Sequence, residues 1–222
     1  MEHIEESPLS PGVTENLRDD YRIVLASSSP RRRMLLEQID IRFHQLHVDV
    51  SEERLVGESP DAYVIRLALA KARAGWDRSG ASGVPVLGAD TAVILGNDVL
   101  GKPMDRQHGI EMLKHLSDAT HTVMTAVALV GYAGRSVGAS PAPERKIVEA
   151  TRLSVSHVAF RSMTSREQAD YWDSGEPSGK AGGYAIQGRA AMYIRHIDGS
   201  YSGIVGLPLF ETSEMLREFG II

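Results

Sequence analysis

Residues Leu25 to Leu36, Leu-Ala-Ser-Ser-Ser-Pro-Arg-Arg-Arg-Met-Leu-Leu, constrain this chain more than any other stretch. A short β-branched and apolar run, Arg22 to Ala26, precedes the serines. An apolar-periodic run, Met34, Leu35, Leu36 and Ile39, follows the arginines. Ser29 suits an N-cap and Pro30 the first helical position. The stretch therefore reads as strand, tight hydroxyl-rich loop, helix start. A helix start offers free backbone N–H groups and the positive end of a dipole. The serines and arginines converge on it. That set of donors makes an anion site, and it suits a polyphosphate better than a single carboxylate. A capped helix with a solvated basic first turn is the plainer reading, and it accounts for Ser29 and Pro30. It does not account for cations in the first turn, where the dipole disfavours them unless an anion is present.

The chain has 222 residues, room for one large domain or two small ones. Hydrophobic residues make up 42% and charged residues 24%, so a full core needs no staple. There is no cysteine, which excludes thiol catalysis, thiolate metal sites and a disulfide scaffold, and fits a reducing cytoplasm. A net charge of −5 gives no global basic field for a nucleic-acid polymer, so any phosphate ligand must be held by a local cluster. No apolar run approaches the roughly 20 residues of a membrane span. The acidic, polar stretch Met1 to Asp20 has no apolar face and no signal-peptide core. It reads as a mobile tail before a single domain over residues 21–222.

Phe43 to Val50 reads as a strand, which puts His44 and His47 on opposite faces as surface residues rather than a metal pair. The acids Asp49, Glu52 and Glu53 that follow either hold a divalent cation through water or are simply solvated. Ser59-Pro60 opens a strong helix to about Trp76, with Val64, Leu67 and Ala68 on its apolar side. Lys71 falls on that side too, where a lysine can snorkel. Val84 to Gly88 and Ala92 to Leu95 read as two short strands with Asp90 at the end of the first. An acid there is partly buried and needs a partner. It either bonds a turn or serves as general base or metal ligand. Lys102 alone reads as a turn lysine.

Asp105 caps a helix through Leu116. Thr122 to Tyr132 and Lys146 to Phe160 pair as antiparallel strands around a loop at Gly134 to Glu144. Thr164 to Glu167 is a capping box for a helix that Gly175 stops. The glycine-rich stretch Gly175 to Gly188 is either a linker or a loop whose backbone approaches a ligand, and Tyr184, Ile186 and Gln187 favour the second. Ala191 to Ile197 reads as a strand, and Leu209 to Phe219 as the last helix. Periodicity gives an α/β class. The chain carries no Gly-x-x-x-x-Gly-Lys-[Ser/Thr], no Gly-x-Ser-x-Gly and no His-Glu-x-x-His.

Leu25-Ala26-Ser27-Ser28-Ser29-Pro30-Arg31-Arg32 resembles the signature of the Maf family of nucleoside triphosphate pyrophosphatases. Leu67-Ala68-Leu69-Ala70-Lys71-Ala72, Gly88-Ala89-Asp90-Thr91 followed by Gly101-Lys102-Pro103, Gly179 to Gly188, and Val205-Gly206-Leu207-Pro208 resemble it as well. The resemblance spans nearly all of residues 21–222. It implies a mixed, twisted sheet flanked by helices, in an elongated two-lobed fold with a central cleft, and a homodimer. It implies hydrolysis of a nucleoside triphosphate to the monophosphate and pyrophosphate. In that scheme Asp90 is the base, and Ser27, Ser29, Arg31, Arg32, Lys71 and Lys102 contact phosphate. A divalent cation, Mg2+ or Mn2+, is held by Glu52 and Asp90. Asp49 and Glu52 match the family's acidic segment.

Within the family one branch acts on dTTP and UTP and another on 7-methyl-GTP. They differ at the places of Arg31, Thr91 and Gln187, and this chain carries the pyrimidine set. A glutamine amide answers both the carbonyls and the N–H of a pyrimidine. Two other classes remain open: a nucleotide-binding regulator of septum formation with little turnover, and a sugar-phosphate or nucleotidyl-transfer enzyme.

Overall fold

The computed structural model describes residues 21–79, 83–132 and 146–222. The tail expected at Met1 to Asp20 and the loop expected at Gly134 to Glu144 lie outside the described residues.

The elements run β1 (Ile23–Ala26), α1 (Pro30–Gln38), β2 (Phe43–Leu46), α2 (Pro60–Arg78), β3 (Val86–Leu95), β4 (Asp98–Leu100), α3 (Arg106–Leu116), β5 (Thr120–Tyr132) and β6 (Ile147–Phe160). Then come α4 (Ser165–Asp173), 3-10 turns at Ala181–Gly183 and Arg189–Met192, β7 (Ile194–Asp198), α5 (Tyr201–Val205) and α6 (Leu209–Glu218). The strands form one seven-stranded mixed sheet in the order β2-β1-β3-β5-β6-β7, with β4 also on β3. β1 pairs in parallel with β2 and β3, and the other pairings are antiparallel. The expected hairpin is present: β5 and β6 pair from Thr120↔Ala159 to Tyr132↔Ile147.

Alternation along the strands sorts the core onto two faces. Ile23, Leu25, Leu87, Ala89, Val127 and Leu129 pack with Leu35, Leu36, Met215 and Leu216 of α1 and α6. On the other face Val24, Ala26, Val86, Ala126 and Ala128 pack with Val64, Ala68, Ala72 and Trp76 of α2. Farther along, Val93, Val123, Val158 and Phe160 pack with Leu113, Leu116, Tyr171 and Tyr184. α2 lies very close to β3: a Cβ on Gly88 would meet the Ala68 carbonyl oxygen at 2.3 Å and the Ala72 nitrogen at 2.6 Å. Only glycine admits that approach, and it brings the helix within reach of Asp90.

Local signals in the sequence hold where caps decide them. Ser29 and Asp105 accept hydrogen bonds at their helix starts, and Thr164 with Glu167 closes a capping box. Three expectations need correction. Val84–Gly88 and Ala92–Leu95 are one strand, because β5 pairs with every residue from Val86 to Ile94 and carries the ladder straight through Asp90. Asp90 therefore sits mid-strand and not at a strand end. The strand expected at Ala191 begins at Ile194, after a 3-10 turn, and an unexpected short helix, α5, precedes α6. The strand expected over Phe43 to Val50 stops at Leu46, where its partner β1 ends at Ala26.

β3 has one edge fully paired with β5. Its other edge is shared: β1 pairs at Val86 and Leu87, and β4 at Val93 to Leu95. Between them, residues 88–92 have strand partners only on the β5 side. A cleft of about 970 Å³ opens at that gap.

Candidate active site

The cleft is lined by Ser27 to Arg32, Glu52, Lys71, Asp90, Thr91, Lys102, Lys180 and Gln187, together with apolar residues such as Val93, Val123, Tyr184 and Ile204. Because β3 is open at this edge, both of its faces reach the cleft. Asp90 points to the α2 side and Thr91 to the α1 side.

On the α1 side the centre is Arg32. Its Nε donates to the Gly206 carbonyl oxygen (2.8 Å), Nη1 to Ser27 Oγ (3.2 Å) and Nη2 to Thr91 Oγ1 (3.3 Å). Thr91 Oγ1 lies 3.0 Å from Thr125 Oγ1, which also donates to the Gly203 carbonyl oxygen at 2.7 Å. All these acceptors are neutral, and no carboxylate bonds Arg32 among the described residues. Burial lowers the guanidinium pKa and the Asp90 charge acts against that. A guanidinium held this way is oriented by its neighbours without being neutralised by them.

The helix start contributes less than its sequence promised. The Ser29 amide is taken by Ser27 Oγ, the Arg32 amide by Ser29 Oγ, and the Arg33 amide by the Ser29 carbonyl. Pro30 has no N–H. The arginines do not all converge either. Consecutive helical residues are about 100° apart, and Arg33 turns outward to Glu37 at 3.6 Å while Arg31 and Arg32 line the cleft.

On the α2 side cations and acids alternate. Lys71 Nζ donates to Asp90 Oδ1 (2.6 Å) and Glu52 Oε1 (2.9 Å), and Lys102 Nζ to Glu52 Oε2 (3.3 Å). Lys71 does not snorkel to water; its ammonium ends between two carboxylates. Asp90 is 7% exposed. Burial pushes its carboxyl above the usual aspartate range, although Lys71 and Arg32 pull the other way. Its second oxygen, Oδ2, has no hydrogen-bond partner among the described residues. Burial also acts upward on Glu52, but Lys71 and Lys102 outweigh it and hold that carboxyl below its ordinary range.

The histidine pair stays apart: His44 packs on Tyr21 and His47 bonds Asp49 at 3.2 Å. Asp49 lines the cleft but does not reach the Lys71 centre. No group of three or more His, Cys, Asp or Glu side chains that could hold a metal occurs among the described residues. Glu52 and Asp90 do converge on one point, the Lys71 ammonium. Two carboxylates suit a magnesium-like ion that draws its remaining ligands from phosphate and water.

The glycine-rich stretch is an anchored loop. The Gly182 amide donates to the Gly101 carbonyl at 3.0 Å, which ties the loop beside Lys102. Gln187 is exposed on the cleft wall, and its amide has no partner among the described residues. Lys180, in the same loop, is a cleft residue that sequence reasoning misses. Its ammonium donates to the Glu176 carbonyl at 2.5 Å, and burial and then the Arg31 charge lower its pKa. Gly206 is missed as well. Its carbonyl, at a glycine with φ of +125°, anchors Arg32 from 174 residues away. The Val205–Pro208 motif is the available signal for it.

A mixed α/β sheet with a cation-rich cleft at an open strand edge is the class of protein these features define. The chain belongs to the Maf-like protein family, whose match covers residues 22–219. It is 49% identical over 211 residues to the dTTP/UTP pyrophosphatase of Alkalilimnicola ehrlichii, covering 92% of this chain and 97% of that one. It is 50% identical over 200 residues to the dTTP/UTP pyrophosphatase of Xanthomonas axonopodis pv. citri (89% and 98% covered). With the protein of the same name from Bordetella avium the identity is 47% over 207 residues (90% and 96% covered).

Proposed function

We propose that this protein hydrolyses dTTP and UTP to the monophosphate and pyrophosphate, with Asp90 as general base. One observation carries the reading. Asp90 is a buried carboxylate with one oxygen fixed by Lys71 and the other free, in the same cleft as an Arg32 guanidinium that has no acid partner among the described residues. The relatives named dTTP/UTP pyrophosphatase, at 47–50% identity, support the substrate.

Attack at the α-phosphorus must bring a nucleophilic water up to a polyanion, which demands charge neutralisation and in-line placement. Arg32 receives phosphate oxygens without first breaking an ion pair. Arg31, Lys102 and Lys180 add charge around it, and Ser27 and Ser29 keep the α1 loop in place. Asp90 Oδ2 accepts the proton of the attacking water. The new bond forms from that oxygen to the α-phosphorus, the α–β bridging bond breaks, and pyrophosphate leaves. The raised carboxyl pKa makes Asp90 a better base than an ordinary aspartate. A divalent ion, Mg2+ or Mn2+, would be held by Glu52 and Asp90 and would supply charge neutralisation at the phosphates. Lys71 would hold the two carboxylates together until it arrives.

Gln187 reads the pyrimidine in this scheme, with its free amide on the cleft wall. Thr91 acts through Arg32, since its hydroxyl is committed to Arg32 and Thr125. The homodimer is proposed from the family resemblance, and the cytoplasmic location from a chain without cysteine. Among the described residues no helix is long and apolar enough to cross a membrane.

The test is a panel of nucleoside triphosphates with magnesium, scored for monophosphate and pyrophosphate. dTTP and UTP should lead by kcat/KM. Equal rates on dTTP and 7-methyl-GTP would sink the pyrimidine assignment. Binding without pyrophosphate release would return the protein to a regulatory role.

A further inference from the structure

Behind the cleft wall lies a polar cluster that the reaction does not use. Glu176 is partly buried between α4 and the loop that carries Gln187. Its Oε1 accepts the Tyr171 hydroxyl (2.7 Å) and the Ala190 amide (3.3 Å), and its Oε2 accepts the Arg189 amide (2.8 Å). Tyr171 is fully buried, and its hydroxyl oxygen accepts the Ala185 amide at 3.3 Å. The backbone is thus tied down at residue 185 and again at residues 189 and 190, and Gln187 sits midway. The carboxylate also presses on the chain between those ties. A Cβ on Gly188 would lie 2.4 to 2.5 Å from all three of its carboxyl atoms.

The chemistry of the cluster requires a carboxylate. Every group facing it is a donor: one phenol O–H and two amide N–H groups. Burial acts to raise the Glu176 carboxyl pKa, yet these hydrogen bonds, Tyr171 first, hold it below its usual range. An amide in its place would turn an N–H2 toward other donors. Such a mismatch in a partly buried spot is relieved by moving the loop.

We propose that Glu176, through Tyr171 and the 189–190 amides, is a positioning residue that sets the base-reading pose of Gln187, so that preference for pyrimidine depends on a carboxylate that does not touch the nucleotide. The proposal rests on the pyrimidine reading above. It separates two tasks within one cleft. Phosphate is held mainly by side chains of α1, α2 and the Lys102 turn, with Lys180 the one cation from the loop, whereas the base is read by the segment hung from α4.

The test uses the full chain with magnesium and three ligands. They are the α,β-methylene analogues of dTTP and dATP, which cannot be cleaved at the scissile bond, and inorganic tripolyphosphate, which has no base. Wild-type protein should bind the dTTP analogue more tightly than the dATP analogue. Glu176→Gln should cut that ratio about tenfold and Tyr171→Phe about threefold, with tripolyphosphate affinity within about twofold of wild type in both. On a Gln187→Ala background, Glu176→Gln should leave the ratio unchanged, because the residue being positioned is gone. Tyr171→Phe keeps the buried ring and guards against a Glu176 variant that folds poorly. Three results would overturn the proposal: a ratio unchanged in both variants, a tripolyphosphate affinity that falls in step with the ratio, or a full effect that persists on Gln187→Ala. A wild type without base preference would overturn the pyrimidine reading and the proposal together. A preference for the dTTP analogue in a protein that releases no pyrophosphate from dTTP itself would overturn the hydrolase reading alone.

Discussion

The two walls of the cleft hold their cations in opposite ways. On the α1 wall Arg32 is gripped by a carbonyl and two hydroxyls, so its direction is fixed and its charge is left over. On the α2 wall Lys71 is gripped by Asp90 and Glu52, so its charge is largely spent inside the protein, and the more exposed Lys102 leans on Glu52 as well. The first wall is ready for an anion before one arrives. The second must reorganise when one does, since an incoming phosphate competes with Glu52 and Asp90 for the same ammonium groups. On the proposed mechanism, binding belongs mainly to the first wall and proton transfer to the second.

Substitutions can break that division. The largest effect is expected from Asp90→Asn, which keeps the shape of the α2 wall and removes its proposed base. The fall in kcat should be at least about a hundredfold. Nucleotide affinity should hold or improve, because a negative charge near the phosphates is gone. A variant with more than a tenth of wild-type kcat would show that the walls do not divide the work this way. The same assignment fixes a pH profile. The base works only when ionised, and burial raises its pKa. The acid limb of kcat/KM, which reports the free enzyme, should therefore lie above the ordinary aspartate value of 3.8, with activity rising as pH rises through it.

Arg32→Lys tests the other wall. It keeps the charge and loses the fork that three acceptors align, and lysine does not replace such a fork. Charge-assisted hydrogen bonds of roughly 1.5–3 kcal/mol are at stake, so kcat/KM should drop about ten- to hundredfold, chiefly through KM. A drop confined to kcat would move Arg32 to the chemical step. Gln187→Glu touches neither wall. It should cost about 1–3 kcal/mol, the range for an unpaired polar group, in kcat/KM for dTTP and UTP and little for tripolyphosphate binding. A loss shared by all phosphate ligands would show that the loop serves the walls after all.

The smallest effect at neutral pH concerns the apolar end of the cleft. His121, 2% exposed, bonds the Tyr184 hydroxyl at 2.7 Å, and burial lowers its pKa to about 4. The folded protein therefore binds this proton more weakly than the unfolded chain does. Its stabilising contribution is whole above the ordinary value of 6.5 and is lost as pH falls from there toward 4. Each tenfold difference in proton affinity between the two states is worth about 1.4 kcal/mol, so the loss across that window is about 3 kcal/mol. Melting curves should show it, and His121→Gln should flatten it. Glu58 and Glu167, held at about 2, lose their contribution at lower pH, below their ordinary 4.5.

What can be read from sequence follows the distance over which each feature is decided. Helix starts at Ser29, Asp105 and Thr164 are set within four residues, and they are legible. So is Lys71 on the apolar side of α2, because helical spacing puts it there. The run through Asp90 is not. Gly88 and Asp90 look like turn residues, and they are held extended only because β5, some 35 residues on, pairs along the whole length. The grip on Arg32 by Gly206 and the ties from Glu176 to Arg189 join residues that no local pattern relates. The direction of Arg33 follows from helical geometry alone.

The unbroken course of β3 also bears on how the molecule breathes. Amide hydrogens in the middle of a strand backed by the long β5 and β6 should exchange with solvent only when the whole sheet opens. The amides around Asp90 that bond β5 belong in that slowest class, whereas the 51–59 segment that carries Glu52 is mostly exposed and should exchange far sooner. Deuterium uptake would then find Asp90, the proposed proton acceptor, on the stillest ladder of the chain, next to an acid carried on one of its most mobile parts.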